Sequence, residues 1–239
     1  MSSARVLAAA LVIYALVVEP VWGWWYMRRL RERVDVDDGA RVAGYRLIIV
    51  TGWTLAGCAL AAYALSDLRP HEVFLAWPRV TGEVPLLAAP GVIAGMGVGL
   101  VAGAVAAVVA ARRGQPPPVA GDIDVLLPRT PRERRWYTGV AITAGVCEEV
   151  LYRGLLLVVA TLLAPGLPQW LLALAVAAAF GLAHVYQGPA GVAVTTTMGA
   201  VLGLLVVATG SLLPAVLLHV AADLRVLLLM PRAAAPADR

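Results

Sequence analysis

Glu148 and Glu149 stand side by side in the apolar stretch ITAGVCEEVLYRGLLL, with Arg153 four residues after the second. Ionisable groups are costly there, about 2.5–3.5 kcal/mol each at the centre of a membrane helix on insertion scales, so a retained one points to a task. Two other apolar stretches carry the same kind of residue: His184 in AAAFGLAHVY, and His219 with Asp223 in AVLLHVAADL. Carboxyl and imidazole groups brought together can move protons, activate a water or hold a metal ion.

Spacing separates their roles. Glu149 and Arg153 lie four apart on a helix with the acid first, the favourable order for an ion pair, so each can satisfy the other. Glu148 is turned about 100° from Glu149 and has no local basic partner, which leaves it free to act as a general base or acid or as a metal ligand. His219 and Asp223 share one helix face, where the carboxylate can fix the imidazole tautomer or both groups can line one pocket. His184 follows Phe180 by four residues, so its ring packs on the phenyl group. Taken singly, a histidine on an apolar helix is more often a hydrogen-bonded core residue than a functional one. Two of the chain's three histidines sit in such helices, and together with the carboxylates they indicate a site. Cys147 precedes Glu148, but a thiol in apolar surroundings is inert and reads as a packing residue. Cys58 and Cys147 do not have the spacing of a metal site or a disulfide framework.

The elements that must position these groups are membrane helices. The chain has 239 residues, 61% hydrophobic and 14% charged, with a mean hydropathy of +0.81. With about 20 residues per crossing, that length allows about six to eight spans. Apolar runs fall near residues 4–27, 45–66, 86–111, 138–163, 169–186, 190–209 and 212–230. The expected fold is an all-α polytopic bundle of about seven spans with the reactive groups among the last four. The first run is too long and too rich in Trp and Tyr for a cleaved signal peptide and is read as an anchor. Residues 1–111 form the front helices, 112–135 an Arg- and Pro-rich linker, and 136–239 the back part that holds the site.

Every basic residue is arginine, so orientation follows from arginine alone. Six arginines lie in the first connection (Arg28, Arg29, Arg31, Arg33, Arg41, Arg46), two in the second (Arg69, Arg79) and six in the third (Arg112, Arg113, Arg129, Arg132, Arg134, Arg135). The tail adds Arg232 and Arg239. This alternation places the amino terminus outside and the carboxyl terminus in the cytoplasm, in a cell membrane. The net charge of +4 is carried by these flanking arginines, which face lipid headgroups rather than nucleic acid. DVDDGAR lacks the ligand pattern of a calcium loop and reads as a solvated turn. Glycines at 91, 95, 99 and 103, and Gly191, Thr195, Gly199 and Gly203, form stripes expected to pack helices within the monomer, with dimerisation or a substrate helix as alternatives.

These motifs resemble those of the CAAX protease and bacteriocin-processing family of intramembrane proteases, which includes the Ras-converting CAAX endopeptidases. Glu148, Glu149 and Arg153 match its EExxxR motif, Phe180 and His184 its FxxxH motif, and His219 and Asp223 its HxxxN or HxxxD motif. The likeness covers about residues 136–230. It implies an endopeptidase acting on a peptide or protein, lipidated or membrane-associated, through a water activated by Glu148 and His184. His219 and Asp223 would then bind a metal or stabilise the oxyanion, with Glu149, Arg153 and Phe180 in support. Asp stands here where the prenyl-protein enzymes usually have Asn, and an ionised Asp cannot donate to an oxyanion, so Asp223 is expected to orient His219 or ligate a metal. Glu148, His184 and His219 would suit a divalent metal such as zinc, with a fourth position left for water. The resemblance favours the metal-free version.

Counting about 1.5 Å per helical residue from the cytoplasmic ends puts Glu148 about 15 Å deep and His219 about 16 Å, but His184 only about 3–5 Å. Either the fifth helix extends past Tyr186 or a water-filled cavity opens to the cytoplasm, and the cavity is the expectation. Two other classes fit buried charge: a transporter or channel, with Glu19 and Arg225 as further relay groups, and a non-catalytic immunity or scaffold protein. Glu19 and Arg225 by themselves read as interface or snorkelling residues.

Overall fold

The computed structural model describes residues 3–66, 88–113 and 121–229, and every regular element among them is helical. The first rod, Ser3–Val34, joins α1 (Ser3–Ile13) and α2 (Glu19–Val34) through a π-helical turn, Tyr14–Val18. Pro20 accounts for the widened turn, because it has no N–H and its ring crowds the carbonyl four residues back. The Glu19 N–H accordingly bonds the Tyr14 carbonyl, five residues earlier. Next come α3 (Ala40–Ala64), α4 (Ala88–Arg112) and a 3₁₀ turn at Asp124–Leu126. The fourth rod joins α5 (Pro131–Glu148), a π-helical segment (Glu149–Leu156) and α6 (Leu157–Leu163). The chain ends with α7 (Gln169–Ala183), a 3₁₀ turn (Val185–Gln187), α8 (Gly188–Thr209) and α9 (Leu213–Leu229).

Each apolar run of the sequence thus coincides with a helix or a broken rod. Among the described residues three helices, Ser3–Val34, Ala40–Ala64 and Val185–Thr209, are long and apolar enough by length and composition to cross a membrane, and Gln169–Ala183 is a shorter apolar helix. Two boundaries differ from expectation. The first rod continues to Val34, and α5 starts at Pro131, inside the stretch read as linker. A capping box sets that start: Thr130 Oγ1 accepts the Glu133 N–H at 3.2 Å, and Glu133 Oε2 accepts the Thr130 N–H at 3.1 Å. Arg69, Arg79, Arg232 and Arg239, used to read orientation, and the QPPP part of the linker lie outside the described residues.

α7 and α8 lie along one another, while α3 and α9 both pack on α5. At the middle is the π segment, buried from end to end, against Ala15, Tyr63, Phe180, Leu202 and Leu212. Where lipid tails surround the outer faces, such contacts hold the helices by close packing rather than by escape from water. Two glycines set the approach. A Cβ on Gly145 would stand 2.7 Å from the Val220 backbone nitrogen, so α9 is seated on α5 one residue from His219. A Cβ on Gly199 would stand 3.1 Å from both Phe180 Cδ1 and Arg153 Nη2. The stripe on α8 therefore packs within the monomer, Gly203 lying against Ala173. On α4, an added Cβ at Gly91, Gly95 or Gly99 meets nothing within 4 Å among the described residues, and Gly103 is covered by Arg225.

Arg41, counted above among solvated loop charges, is instead buried. Its guanidinium bonds the Val125 carbonyl at 2.9 Å and Glu133 Oε1 at 3.3 Å, fastening the start of α3 to the start of α5. A buried arginine persists only with partners of this kind.

Candidate active site

Glu149 opens the π segment, and its carboxylate is fully enclosed. Oε1 accepts from Arg153 Nη1 at 2.9 Å, which realises the ion pair expected from spacing. Arg153 also donates to the Gly199 carbonyl at 3.0 Å and lies 4.5 Å over the Phe180 ring. The guanidinium is thereby tied to α7 and α8 together, and any side chain at position 199 would crowd that tie.

The same Oε1 stands 2.8 Å from His219 Nδ1 on α9. An oxygen paired with arginine is an ionised acceptor, so Nδ1 carries the proton of this bond. His219 Nε2 then faces Glu148 Oε2 at 3.8 Å and Asp223 Oδ2 at 3.9 Å, both outside hydrogen-bond reach. The residue that orients His219 is therefore Glu149, seventy positions away in sequence, whereas Asp223 lies beside the other edge of the ring. Sequence spacing could pair His219 only with its neighbour on the same helix. No local pattern signals a partner on another rod.

Glu148 is the last residue of α5. Its carboxyl is partly exposed, yet Oε2 is enclosed and has no hydrogen-bond partner among the described residues. Glu148 and His184 line one cavity, with an empty volume of about 790 Å³ including its open mouth. His184 lies at the end of α7, where the helix stops at Ala183 and turns through Val185–Gln187 into α8. α7 therefore does not extend past Tyr186, and His184 stands on a cavity wall at its end. His184 Nδ1 lies 2.8 Å from the Phe180 carbonyl, which can only accept, so Nδ1 holds the proton and Nε2 carries the lone pair. The ring packs on Phe180 at 4.6 Å between centroids, as the four-residue spacing predicts.

The break that presents His184 is held from outside its own rod. Arg31 of α2 donates to the Tyr186 carbonyl at 3.1 Å and the Asp122 carbonyl at 2.7 Å. Asp122 in turn donates its N–H to the Gln187 carbonyl at 2.8 Å. Gly188 turns the chain into α8 with φ of 72°, a left-handed value that glycine adopts without strain. Glu19 of α2 is a further ionisable group on the cavity wall, and Tyr152 donates to its Oε2 at 2.8 Å. Its place beside the motif residues was not expected from the sequence, where a lone Glu before Pro20 gives no sign of its direction.

A metal ion would need three or more ligands converging on one point. Among the described residues no such set of His, Cys, Asp and Glu is gathered, and His219 spends Nδ1 on Glu149 with Nε2 3.8 Å from Glu148. As placed, Glu148, His184 and His219 do not form a metal cage.

Comparison with known families adds one match. Residues 132–225, under half of the chain, match the model of the Rce1-like type II CAAX prenyl endopeptidases, a finding consistent with the CAAX protease and bacteriocin-processing family. The matched segment contains Glu148, Glu149, Arg153, Phe180, His184, His219 and Asp223. No curated protein matches the chain. No solved structure matches it.

Proposed function

We propose that this protein is an intramembrane endopeptidase in which Glu148, with His184, activates the water that cleaves a peptide bond. The observation that carries the reading is the meeting of Glu148, from the end of α5, and His184, from the break after α7, on one cavity inside the matched segment. The membrane setting is supported by the apolar helices and by the family match. All seven rods are taken as spans, with the amino terminus outside, the carboxyl terminus in the cytoplasm and the site among the last four.

In the proposed cycle Glu148 removes a proton from the water, whose oxygen attacks the scissile carbonyl carbon. His184, its Nδ1 proton committed to the Phe180 carbonyl, accepts from the water through Nε2 and aims it. The carbonyl oxygen becomes an oxyanion, and His219 in its imidazolium form, its Nδ1–H held by Glu149, donates Nε2–H to it. Asp223 stabilises the imidazolium form of His219 or, when protonated, donates to the oxyanion itself. Collapse breaks the carbon–nitrogen bond, and Glu148 returns its proton to the leaving amine. No step passes through a metal, in keeping with the donor arrangement. Zinc measured at one equivalent in the purified protein, and lost in both Glu148→Ala and His184→Ala, would overturn the metal-free version.

The substrate is a peptide or protein at the membrane, lipidated or otherwise membrane-associated. Comparing membrane proteomes of wild-type and Glu148→Ala cells tests the reading. Precursors that accumulate uncleaved only in the variant support it. Full biological activity in Glu148→Ala, with no precursor accumulating, would instead assign a scaffold role.

A further inference from the structure

Glu19 has no task in the cycle above, although it shares the cavity with Glu148 and His184. It belongs to α2, outside the segment that matches the endopeptidase family. The π turn before Pro20 widens the helix at this point, and Glu19 is the residue whose N–H closes it. π-bulges of this kind occur frequently at functional sites.

Tyr152 holds the carboxylate from behind. It is 1% exposed, lies edge-on to Phe180 at 5.1 Å, and its hydroxyl donates to Glu19 Oε2 at 2.8 Å. This is the only hydrogen bond to Glu19 among the described residues, and no cation there stands within ion-pair distance of it. The walls around it are mainly apolar, with Met27, Ile48, Leu55 and Leu151. One neutral donor leaves the negative charge of a carboxylate in such surroundings unbalanced, and a cation would balance it. Trp22, on the same helix and the same wall, presents an aromatic surface suited to a cation. Arg153, the neighbour of Tyr152 in the chain, is already bound to Glu149 and Gly199.

We infer that Glu19 anchors a subsite for a cationic group, the ammonium or guanidinium of a basic substrate residue next to the scissile peptide. The cavity wall and the carboxylate stand without the proteolytic reading; only the words "next to the scissile peptide" rest on it. The first α-helical rod therefore contributes specificity to chemistry that the back part of the chain performs.

Two experiments on the full-length chain in detergent test this. In a Glu148→Gln background, which removes the other cavity carboxylate's charge, n-hexylammonium binds about tenfold more tightly than n-hexanol by calorimetry. Adding Glu19→Gln abolishes the difference with hexanol affinity unchanged, and Glu19→Asp, which keeps the charge, retains a preference for the amine. Equal affinities in the Glu148→Gln background, or a preference that survives Glu19→Gln, would overturn the inference, as would loss of the preference in Glu19→Asp. In the second experiment the wild-type chain is given a random peptide library, and basic residues are enriched beside the cut sites but not in Glu19→Gln digests. Cleavage without that enrichment defeats the subsite. An amine preference that depends on Glu19, with no cleavage by the wild type, supports the subsite and defeats the endopeptidase reading instead.

Discussion

At the residue scale the paired glutamates divide their labour by environment. Glu149 is enclosed and doubly bonded, to Arg153 and to His219, whereas Glu148 reaches the cavity with one oxygen unpartnered. Their replacements should therefore fail differently. Glu148→Gln is expected to lower cleavage by about 10²-fold or more while the thermal midpoint stays within a few degrees of wild type, because no bond is lost. Arg153→Met leaves Glu149 as an uncompensated buried charge, so it should cost about 3–5 kcal/mol and remove both folding yield and activity. Thermal unfolding of the two purified variants, set beside their cleavage rates, separates these outcomes. Asp223 invites a third test. Asp223→Asn supplies a donor near His219 Nε2, so activity should stay within about tenfold of wild type, while Asp223→Ala should fall about 10²-fold. Equal losses in both would mean that the carboxylate charge itself is needed. The Glu149–Arg153 pair was legible in the sequence because both residues lie on one helix four apart. The Glu149–His219 bond was not, since its partners meet only after α9 packs on α5.

At the scale of elements, site geometry depends on where helices touch and where they break. α9 reaches α5 because Gly145 has no side chain at the contact with Val220, one residue from His219. Gly145→Val should force the two helices apart, costing about 1–3 kcal/mol of stability. Its effect on cleavage should be larger than its effect on folding, because His219 moves away from the glutamates with its helix. A cleavage rate near wild type in a destabilised Gly145→Val protein would sink this account of α9. Element positions were largely readable, since each apolar run became a helix. Element breaks were readable only in part. Pro20 explains the π turn before Glu19, but Glu149–Leu156 contains no proline, and nothing in its composition announces a π-helical segment. The two glycine stripes carry the same spacing and have different fates among the described residues, the one on α8 packed against α7 and the one on α4 met only at Gly103. Spacing gives a helix a small-residue face but does not supply the neighbour that covers it.

At the scale of the whole molecule, the segment matching the endopeptidase family does not build the cavity alone. Glu19, Trp22 and Met27 of α2 and Ile48 and Leu55 of α3 complete its walls, and Arg31 holds the turn that presents His184. The front helices looked in the sequence like anchors, because their apolar faces carry no motif and the long arginine-rich connections hide which loop they return to. Arg31 itself was read as one of six loop charges, whereas its guanidinium reaches two backbone carbonyls, at Asp122 in the linker and at Tyr186 in the back part. Those carbonyls flank the bend from α7 to α8, and a side chain that fixes a bend acts on catalysis through geometry alone. Arg31→Ala should consequently lower kcat about tenfold with little change in KM, as a small displacement of His184 impairs the attack geometry without altering the substrate walls. Arg31→Lys should recover only part of the loss, since both bonds come from Nη2 at the tip of the arginine and a lysine ammonium sits on a shorter, more flexible stem. The measurement is steady-state cleavage by the full-length variants, with the thermal midpoint as control. A rise in KM at constant kcat would show that α2 serves substrate binding there and not the placement of His184.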